Sequence, residues 1–416
     1  MRLVGVLGPG LVTGAADDDP SGIAAYSQIG AQFGFMMLWT LPVSYPLMVA
    51  IQEASAWIAR VSGAGLARNI RLHYPSWISY AAVSVLLFAN VINLAADIAA
   101  MADSLGILIG GPIPFYTLIF GGICLAAVVF VSYARFSKIL KWGTLVLLVY
   151  VATAFTVHAP IRGILSGTCV PSIRLSGGYL TALTAVLGTT ISPYLFFWQA
   201  SQEVEEQKAT PGEHPLRQAP RQAVAQLVPM RADTYFGMAV SNLIAYFIVL
   251  DTGALLHAHG ITRIETATQA AEALRPIAGN FAFLLFAVGI VGTGLLAVPV
   301  LAASVGYALA EIGSWPRGLA KKLGSAPAFY GSIAAVTFLG LLLNLFRISP
   351  MKALFLSAVV NGICAGPIMV LVMMMTTNRA VTGGLVFPKP QLILGWISTA
   401  VMLVVAVGML FDLVLD

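Results

Sequence analysis

The 416-residue chain has few charged side chains: only 9% of its residues are Asp, Glu, Lys or Arg, whereas 59% are hydrophobic. Soluble domains carry about 25% charged residues, so this composition excludes an ordinary water-soluble globular protein. The apolar residues recur in runs of about 20 residues, which is long enough for a helix to cross a bilayer. The composition therefore predicts a polytopic membrane protein whose surroundings are the lipid bilayer.

The chain is also poor in cysteine, with three that lie far apart in the sequence. No CxxC pair is present, so neither a zinc site nor a disulfide framework is predicted. The net charge of +5 does not come from a basic stripe with interleaved aromatic residues, so no nucleic-acid partner is expected. The longest polar stretch, about Glu203 to Pro229, contains prolines and charges and is predicted to be a flexible connector. Without a soluble domain, we expect neither enzyme activity nor a cofactor.

Eleven apolar segments are predicted to span the membrane, with the first and the sixth interrupted. Their approximate bounds are 3–33, 36–60, 76–106, 113–132, 138–158, 177–202, 230–254, 278–309, 326–345, 350–376 and 391–413. With a cytoplasmic N-terminus, most of the 22 Lys and Arg residues fall in the inner loops, as the positive-inside rule requires. This pattern favours a multi-pass protein of a bacterial-type inner membrane.

The first interruption has the sequence GAADDDPSG, in which Asp17, Asp18 and Asp19 precede a proline. Pro20 lacks an N–H and clashes with the preceding turn, and Gly22 adds backbone freedom, so the helix should break here. A break leaves orphan carbonyls before it and orphan amides after it. Together with three carboxylates, these groups form a hard oxygen cluster that suits a divalent cation. The alternative is a solvent-exposed loop between two short apolar segments.

The sixth span, LTAVLGTTISPYLFFWQASQ, also contains a glycine and a Ser-Pro pair in its middle. Two interrupted spans, each opening a five-span half, are typical of an inverted-repeat transporter with a binding site near the bilayer midplane. This weakens the loop alternative. We therefore predict one transmembrane domain over residues 1–416, with repeats at about 1–160 and 176–376 and an additional helix at about 391–413.

Four segments resemble the NRAMP (natural resistance-associated macrophage protein) family of divalent-metal transporters. They are GPGLVTGAADDDPSG, NLAADIAAMADSLG, GTTISPYLFFWQAS and GTGLLAVPVLAASVGYALAE, and the resemblance runs through nearly all eleven spans. It implies an all-α LeuT-type fold of two inverted five-helix repeats. It also implies alternating access around a divalent cation, which is the substrate.

The resemblance also implies roles for single residues. Asp19 matches the family's metal-binding aspartate, Thr189 matches the residue whose backbone carbonyl binds metal, and Asp97 matches the third-helix aspartate of the proton route. The candidate metal-site residues are Asp19, Thr189, Ser192, Gly22 and Asn361. The candidates for a vestibule or a proton route are Asp17, Asp18, Asp97, Asp103 and Tyr194.

Departures from the family pattern bear on which ion is carried. Gly22 stands where the family has a metal-binding asparagine, and Ser192 where it has a methionine. In the tenth helix, Ala358 replaces a glutamine, with Asn361 as a nearby polar substitute. A thioether selects softer metals, whereas serine gives no such preference. Mg²⁺ keeps several of its waters when bound, so a wider, all-oxygen site favours Mg²⁺ or another hard ion such as Mn²⁺.

Proton coupling is expected to be weak or absent. Histidine titrates near neutral pH, but Tyr194 stands in its place, and Ala100 replaces the third-helix glutamate. Asp97, Asp103 or the Asp17–Asp18 pair could still carry a proton, because crowded carboxylates raise one another's pKa. The alternatives are a proton-coupled Mn²⁺/Fe²⁺ importer, or a cation-coupled transporter of a small organic solute on the same fold. A monomer is sufficient for this fold.

Overall fold

The computed structural model describes residues 8–131, 147–157, 159–174, 176–346 and 348–415, and the regular elements within those ranges are helices. The longer helices are α1 (Pro9–Asp17), α2 (Pro20–Phe33), α3 (Thr40–Ser62), α4 (Leu66–His73), α5 (Ser76–Ile109), α6 (Ile113–Phe130), α7 (Leu148–Thr156), α8 (Ile161–Cys169), α9 (Gly177–Thr190), α10 (Pro193–Ala209), α11 (Ala223–Leu255), α12 (Ala282–Gly313), α13 (Pro327–Leu343), α14 (Pro350–Thr377) and α15 (Lys389–Leu415). Shorter helical turns include Gly34–Met37, His257–His259, Ala267–Ala271, Arg275–Ala278 and Arg379–Thr382.

Within the described ranges, eight helical segments are long and apolar enough to cross a membrane. They correspond to the third, the fourth and the sixth to eleventh predicted spans. The first predicted span is divided between α1 and α2, the second is α3, and only α7 of the fifth lies in the described part. The chain bends by 111° between Pro20–Met37 and Thr40–Ser62. Because the 23 residues of α3 measure about 35 Å at 1.5 Å per residue, α3 is long enough to cross separately.

Both predicted interruptions are present. α1 ends at Asp17 and α2 begins at Pro20, while α9 ends at Thr190 and α10 begins at Pro193. The second half of each broken span thus begins with proline at its first helical position. A backbone N–H at this position would have no acceptor within the helix, so proline loses no helical hydrogen bond there. The local sequence therefore ends one helix and starts the next within two residues.

The prediction of a flexible connector over residues 203–229 is wrong. α10 continues to Ala209 and α11 begins at Ala223, so most of this stretch is helical. Between the two helices, the backbone N–H of Leu216 donates to the carbonyl of Arg60 at 3.0 Å. The Leu216 side chain is fully buried, so the remaining connector is fastened to the end of α3.

Glycines let the first half of each broken span touch its neighbour backbone to backbone. A Cβ on Gly14 of α1 would lie 2.3 Å from the carbonyl oxygen of Gly237 on α11. A Cβ on Gly188 of α9 would lie 2.1 Å from the carbonyl oxygen of Ala358 on α14. Small residues at such crossings allow close packing in membranes, where dispersion contacts hold helices together. In each broken span, the helix that precedes the break is therefore held against its neighbour by glycine contacts.

We expect Gly237→Ala to destabilise the protein by about 1–3 kcal/mol, because the new methyl group would overpack the crossing of α1 and α11. The measurement is the thermal unfolding midpoint of the purified protein in one detergent. Gly122→Ala on α6 is the matched control, since its Cβ would meet no atom within 4 Å. Equal midpoints for the two variants would contradict this account of the crossing.

Candidate functional site

Asp19 is the residue that joins the two halves of the first span. Its backbone is extended, and its side chain caps α2: Oδ1 accepts from the backbone N–H of Gly22 at 2.6 Å and from the hydroxyl of Ser21 at 2.8 Å. Aspartate is among the strongest N-cap residues because its carboxylate satisfies amides that have no helical acceptor. The positive end of the helix dipole also favours a negative charge there. The break thus fixes one Asp19 oxygen.

The other Asp19 oxygen is bonded from a different helix. Nδ2 of Asn93 on α5 donates to Oδ2 of Asp19 at 2.9 Å. Asn93 is fully buried and was missed by the sequence analysis, which considered buried carboxylates and the positions indicated by the family resemblance. An asparagine in the middle of an apolar helix was the signal that could have found it.

Asp17 and Asp18 face α11, where they meet at a single hydroxyl. Ser241 Oγ lies 2.7 Å from Oδ2 of Asp17 and 2.9 Å from Oδ1 of Asp18. A serine hydroxyl has one proton, so it can donate to only one of the two carboxylates at a time. Oδ1 of Asp17 has no hydrogen-bond partner within the described ranges. Ser241 is a second residue of the site that the sequence analysis missed.

The three consecutive carboxylates are deeply buried, with exposed fractions of 1% for Asp17, 3% for Asp18 and 3% for Asp19. In the described part of the chain, none of them pairs with a Lys, Arg or His side chain. Uncompensated charge in the interior of a membrane protein is costly. The site therefore requires bound protons or a bound cation to balance its charge.

At the second break, two of the predicted metal-site residues contact each other. Ser192 Oγ lies 2.9 Å from the carbonyl oxygen of Thr189 and 2.7 Å from that of Gly188. Both carbonyls lack a helical partner where α9 ends, and the single proton of the serine hydroxyl can be donated to one of them at a time. A carbonyl oxygen has two lone pairs, so that of Thr189 can accept this bond and still bind another group.

Two tyrosines close the space between the breaks. Tyr194, in the first turn of α10, donates its hydroxyl to the carbonyl oxygen of Ala16 at 2.8 Å, in the last turn of α1. Tyr26 on α2 is buried, and its ring would lie 3.4 Å from a Cβ on Gly22. Its hydroxyl lies near Thr189 and Asp17 but makes no hydrogen bond of normal geometry. Tyr26 also escaped the sequence analysis.

Gly22 and Asn361, the remaining predicted metal-site residues, differ in their surroundings. A Cβ on Gly22 would lie 3.3 Å from Oδ1 of Asp19, so the space beside Gly22 is already narrow. Asn361 on α14 is fully buried, and in the described part of the molecule neither end of its amide has a partner. No hydrogen bond joins Asn361 to Asp19 among the described residues.

Asp97 is the one proton-route candidate on α5 that approaches the break. Its carboxylate is fully buried, has no hydrogen-bond donor of normal geometry within the described residues, and lies one helical turn after Asn93, which contacts Asp19. Asp103 is only half-buried and lies six residues further along α5, about 9 Å away at 1.5 Å per residue.

Comparison with known proteins decides the family. The sequence model described as "Natural resistance-associated macrophage protein-like" (Nramp) matches residues 10–412. The chain belongs to the Nramp family. It is 26% identical over 415 residues to the divalent metal cation transporter MntH of Klebsiella pneumoniae (strain 342), covering 95% of this chain and 91% of the relative. MntH of Yersinia pestis (strain Pestoides F) is 26% identical over 413 residues, covering 94% and 90%. These relatives are transporters, not enzymes.

Solved structures confirm the fold. The manganese transporter of Eremococcus coleocola, an Nramp protein, superposes with a TM-score of 0.75 at 15% identity, covering 96% of this chain and 85% of that one. Mhp1, a nucleobase-cation-symport-1 family transporter, gives a TM-score of 0.59 at 14% identity, covering 98% and 91%. At these identities the likeness concerns the fold alone. The predicted LeuT-type architecture, with interrupted helices one and six, is correct.

The predicted site lies between two ends of the molecule that differ in structure. Towards the C-terminal end of α2, a cavity of about 320 Å³ is lined by Ala24, Gln28, Met351 and Phe355, among others. Ala24 is two residues beyond Gly22, so the cavity reaches to within one helical turn of the break. None of the predicted metal-site residues lines this cavity, so buried side chains separate it from Asp19.

The opposite end is held together by charged residues. Asp233 of α11 accepts the backbone N–H groups of Gly8 and Gly10, at 3.2 Å and 2.6 Å, and so fastens the N-terminal end of α1 to α11. Nearby, Arg60 donates to three glutamates, Glu203, Glu206 and Glu213. These bonds link α1 to α11 and α3 to α10 on the side where α1 begins, around a cavity of about 170 Å³ lined by Gly8, Arg60, Glu206 and Asp233, among others.

We expect Tyr194→Phe to destabilise the protein by about 1–3 kcal/mol, because it leaves the Ala16 carbonyl buried without a donor. Tyr150→Phe is the matched control, since the Tyr150 hydroxyl is buried and has no partner in the described part of the chain. Its loss should be neutral or stabilising. The measurement is the thermal unfolding midpoint of each variant in one detergent. An equal decrease in the midpoint for both would contradict the hydrogen bond from Tyr194 to the Ala16 carbonyl.

Proposed function

We propose that this Nramp protein transports divalent metal cations across the membrane, with Asp19 as the central ligand. The observation that carries the proposal is the run of three buried carboxylates without a cationic side chain beside them among the described residues. A divalent cation is the simplest group that balances this charge. The names of the curated relatives, divalent metal cation transporters, agree with the proposal.

The proposed ligands are all oxygen atoms. We assign the Asp19 carboxylate, the Thr189 carbonyl and the Ser192 hydroxyl to the ion, with Gly22 and Asn361 in the surrounding wall. Oxygen ligands suit hard ions such as Mg²⁺ and Mn²⁺, whereas a thioether or thiolate would favour soft ones. Because no sulfur is among these ligands, we propose a preference for Mg²⁺ or Mn²⁺ over soft metals. An organic solute fits less well, since buried side chains occupy the break.

We propose alternating access between the two ends of the molecule. The cavity beside Ala24 serves as the entry for the ion, and the bonds from Asp233 to the start of α1 hold the helices of the exit side together. Opening the exit requires that α1 leave Asp233 and that the Arg60 network separate. With the N-terminus in the cytoplasm, as the positive-inside bias predicts, this direction is import.

Weak proton coupling is part of the same proposal. The Tyr194 hydroxyl is committed to the Ala16 carbonyl, and a tyrosine does not titrate near neutral pH as histidine does. The carboxylates that could hold a proton are Asp97, which has no hydrogen-bond donor of normal geometry among the described residues, and the Asp17–Asp18 pair, which shares the proton of Ser241. We place the proton route, where one operates, on these three residues and not on the half-buried Asp103.

We expect Asp19→Asn to lower Mn²⁺ and Mg²⁺ uptake into proteoliposomes by more than about tenfold, since it removes the charged ligand. Asp251→Asn is the matched control: Asp251 is also fully buried in a span and has no hydrogen-bond partner among the described residues. Uptake by the control should remain near that of the unmodified protein. Unchanged uptake by the Asp19 variant would refute the assignment of the ligand.

We expect Ser192→Cys to shift selectivity towards Cd²⁺ relative to Mg²⁺, because a thiolate of similar size replaces a hard oxygen. Competition of Cd²⁺ with Mg²⁺ uptake measures the shift. Ser55→Cys on α3 is the control, because Ser55 is equally buried and its hydroxyl also donates to a backbone carbonyl four residues earlier, that of Ile51. A shift of the same size in both variants would place Ser192 outside the site.

A further inference from the structure

We propose that Asn93 is a metal ligand, supplying from α5 the amide oxygen that α2 lacks at Gly22. This inference rests on the proposed transport of divalent cations and deepens it by adding a residue that determines specificity. The relevant contact joins side chains 74 residues apart, Asn93 and Asp19. It brings a neutral oxygen donor to the ion from a helix outside both breaks.

Only one end of the Asn93 side-chain amide makes a hydrogen bond among the described residues. Its Nδ2 donates to Oδ2 of Asp19 at 2.9 Å, while its Oδ1 is buried and has no hydrogen-bond partner in the described part of the molecule. Buried polar atoms nearly always have a partner, and those without one call for an explanation. An oxygen that lacks a donor, attached to a group in contact with a carboxylate, is suited to bind a cation.

The spacing fits the coordination sphere of a small divalent ion. The two ends of an amide have nearly the same size, and the torsion that exchanges them is soft. A half-turn of the Asn93 amide would place Oδ1 where Nδ2 lies, 2.9 Å from Oδ2 of Asp19. Neighbouring oxygens around an octahedral Mg²⁺, at bond lengths of about 2.1 Å, lie about 3 Å apart. The two oxygens can therefore share one ion.

The half-turn also gives the freed N–H a potential acceptor. Asp97 lies four residues after Asn93, on the same face of α5, and its carboxylate has no hydrogen-bond donor of normal geometry among the described residues. Side chains at positions i and i+4 of a helix are neighbours. Without an ion, Asn93 would donate to Asp19. With an ion bound, Asn93 would bind it through Oδ1 and would turn its N–H towards Asp97.

The test measures divalent-cation binding to the full-length protein in detergent by calorimetry. Asn93→Ala should weaken Mn²⁺ binding by about tenfold or more. Asn93→Cys should bind Cd²⁺ more tightly than the unmodified protein and show a thiolate-to-cadmium absorption band above the background of the native cysteines. Asn90→Cys is the matched control: Asn90 is equally buried one turn earlier and its Oδ1 also has no partner among the described residues, but its Nδ2 donates to Leu301 and Ser304 of α12 and not to Asp19. It should show no such band.

The outcomes separate this inference from the proposed function. If the unmodified protein binds no divalent cation, the proposed function fails. If it binds Mn²⁺ and Asp19→Asn abolishes binding, but Asn93→Cys gives no cadmium band, only the inference about Asn93 is overturned. Should the cysteine variant not fold, Asn93→Asp tests whether residue 93 binds the ion, because aspartate has the shape of asparagine and keeps an oxygen ligand. Retained or tighter Mn²⁺ binding supports the proposal, and a loss as large as that of Asn93→Ala overturns it.

Discussion

A helix that stops inside a membrane leaves backbone carbonyls and amides that no lipid can satisfy, and the centre of this protein is organised around that constraint. At the first break, Asp19 bonds to the amide of Gly22 and Tyr194 bonds to the carbonyl of Ala16. At the second, Ser192 bonds to the carbonyls where α9 ends. The backbone is thus completed by side chains at both interruptions.

Two of these side chains, Asp19 and Ser192, are also proposed to bind the cation, so ion binding and the completion of the backbone compete for the same atoms. The Asp19 oxygens and the Thr189 carbonyl are hydrogen-bonded in the structure. An ion must either displace these hydrogen bonds or bind to the remaining lone pairs of the same oxygens. Where it displaces them, the free energy of ion binding is reduced by the free energy that the hydrogen bonds contributed. Glycine contacts such as Gly14 against Gly237 keep the surrounding helices in place while the local bonds exchange.

The sequence was most informative where a local signal exists. Pro20 and Pro193 predicted the two breaks, because proline acts on its own helix. Asn93 and Ser241 were missed, because each lies within an uninterrupted helix and acquires its role only through a partner distant in sequence. The connector over residues 203–229 was mispredicted because its prolines suggested a loop, whereas Pro229 lies inside α11. The roles of Asn93 and Ser241 and the structure of residues 203–229 depend on tertiary contacts, which sequence composition does not show.

The clustering of carboxylates at the first break has an electrical consequence. With Asp17, Asp18 and Asp19 ionised, the empty site carries three negative charges, and a divalent ion reduces this to one. Loaded and empty forms therefore interact differently with the membrane potential. Two charges crossing the whole field correspond to about 4.6 kcal/mol at 100 mV. In the proposed transport cycle, the number of protons held by Asp17 and Asp18 would thus set how strongly voltage drives the return of the empty protein.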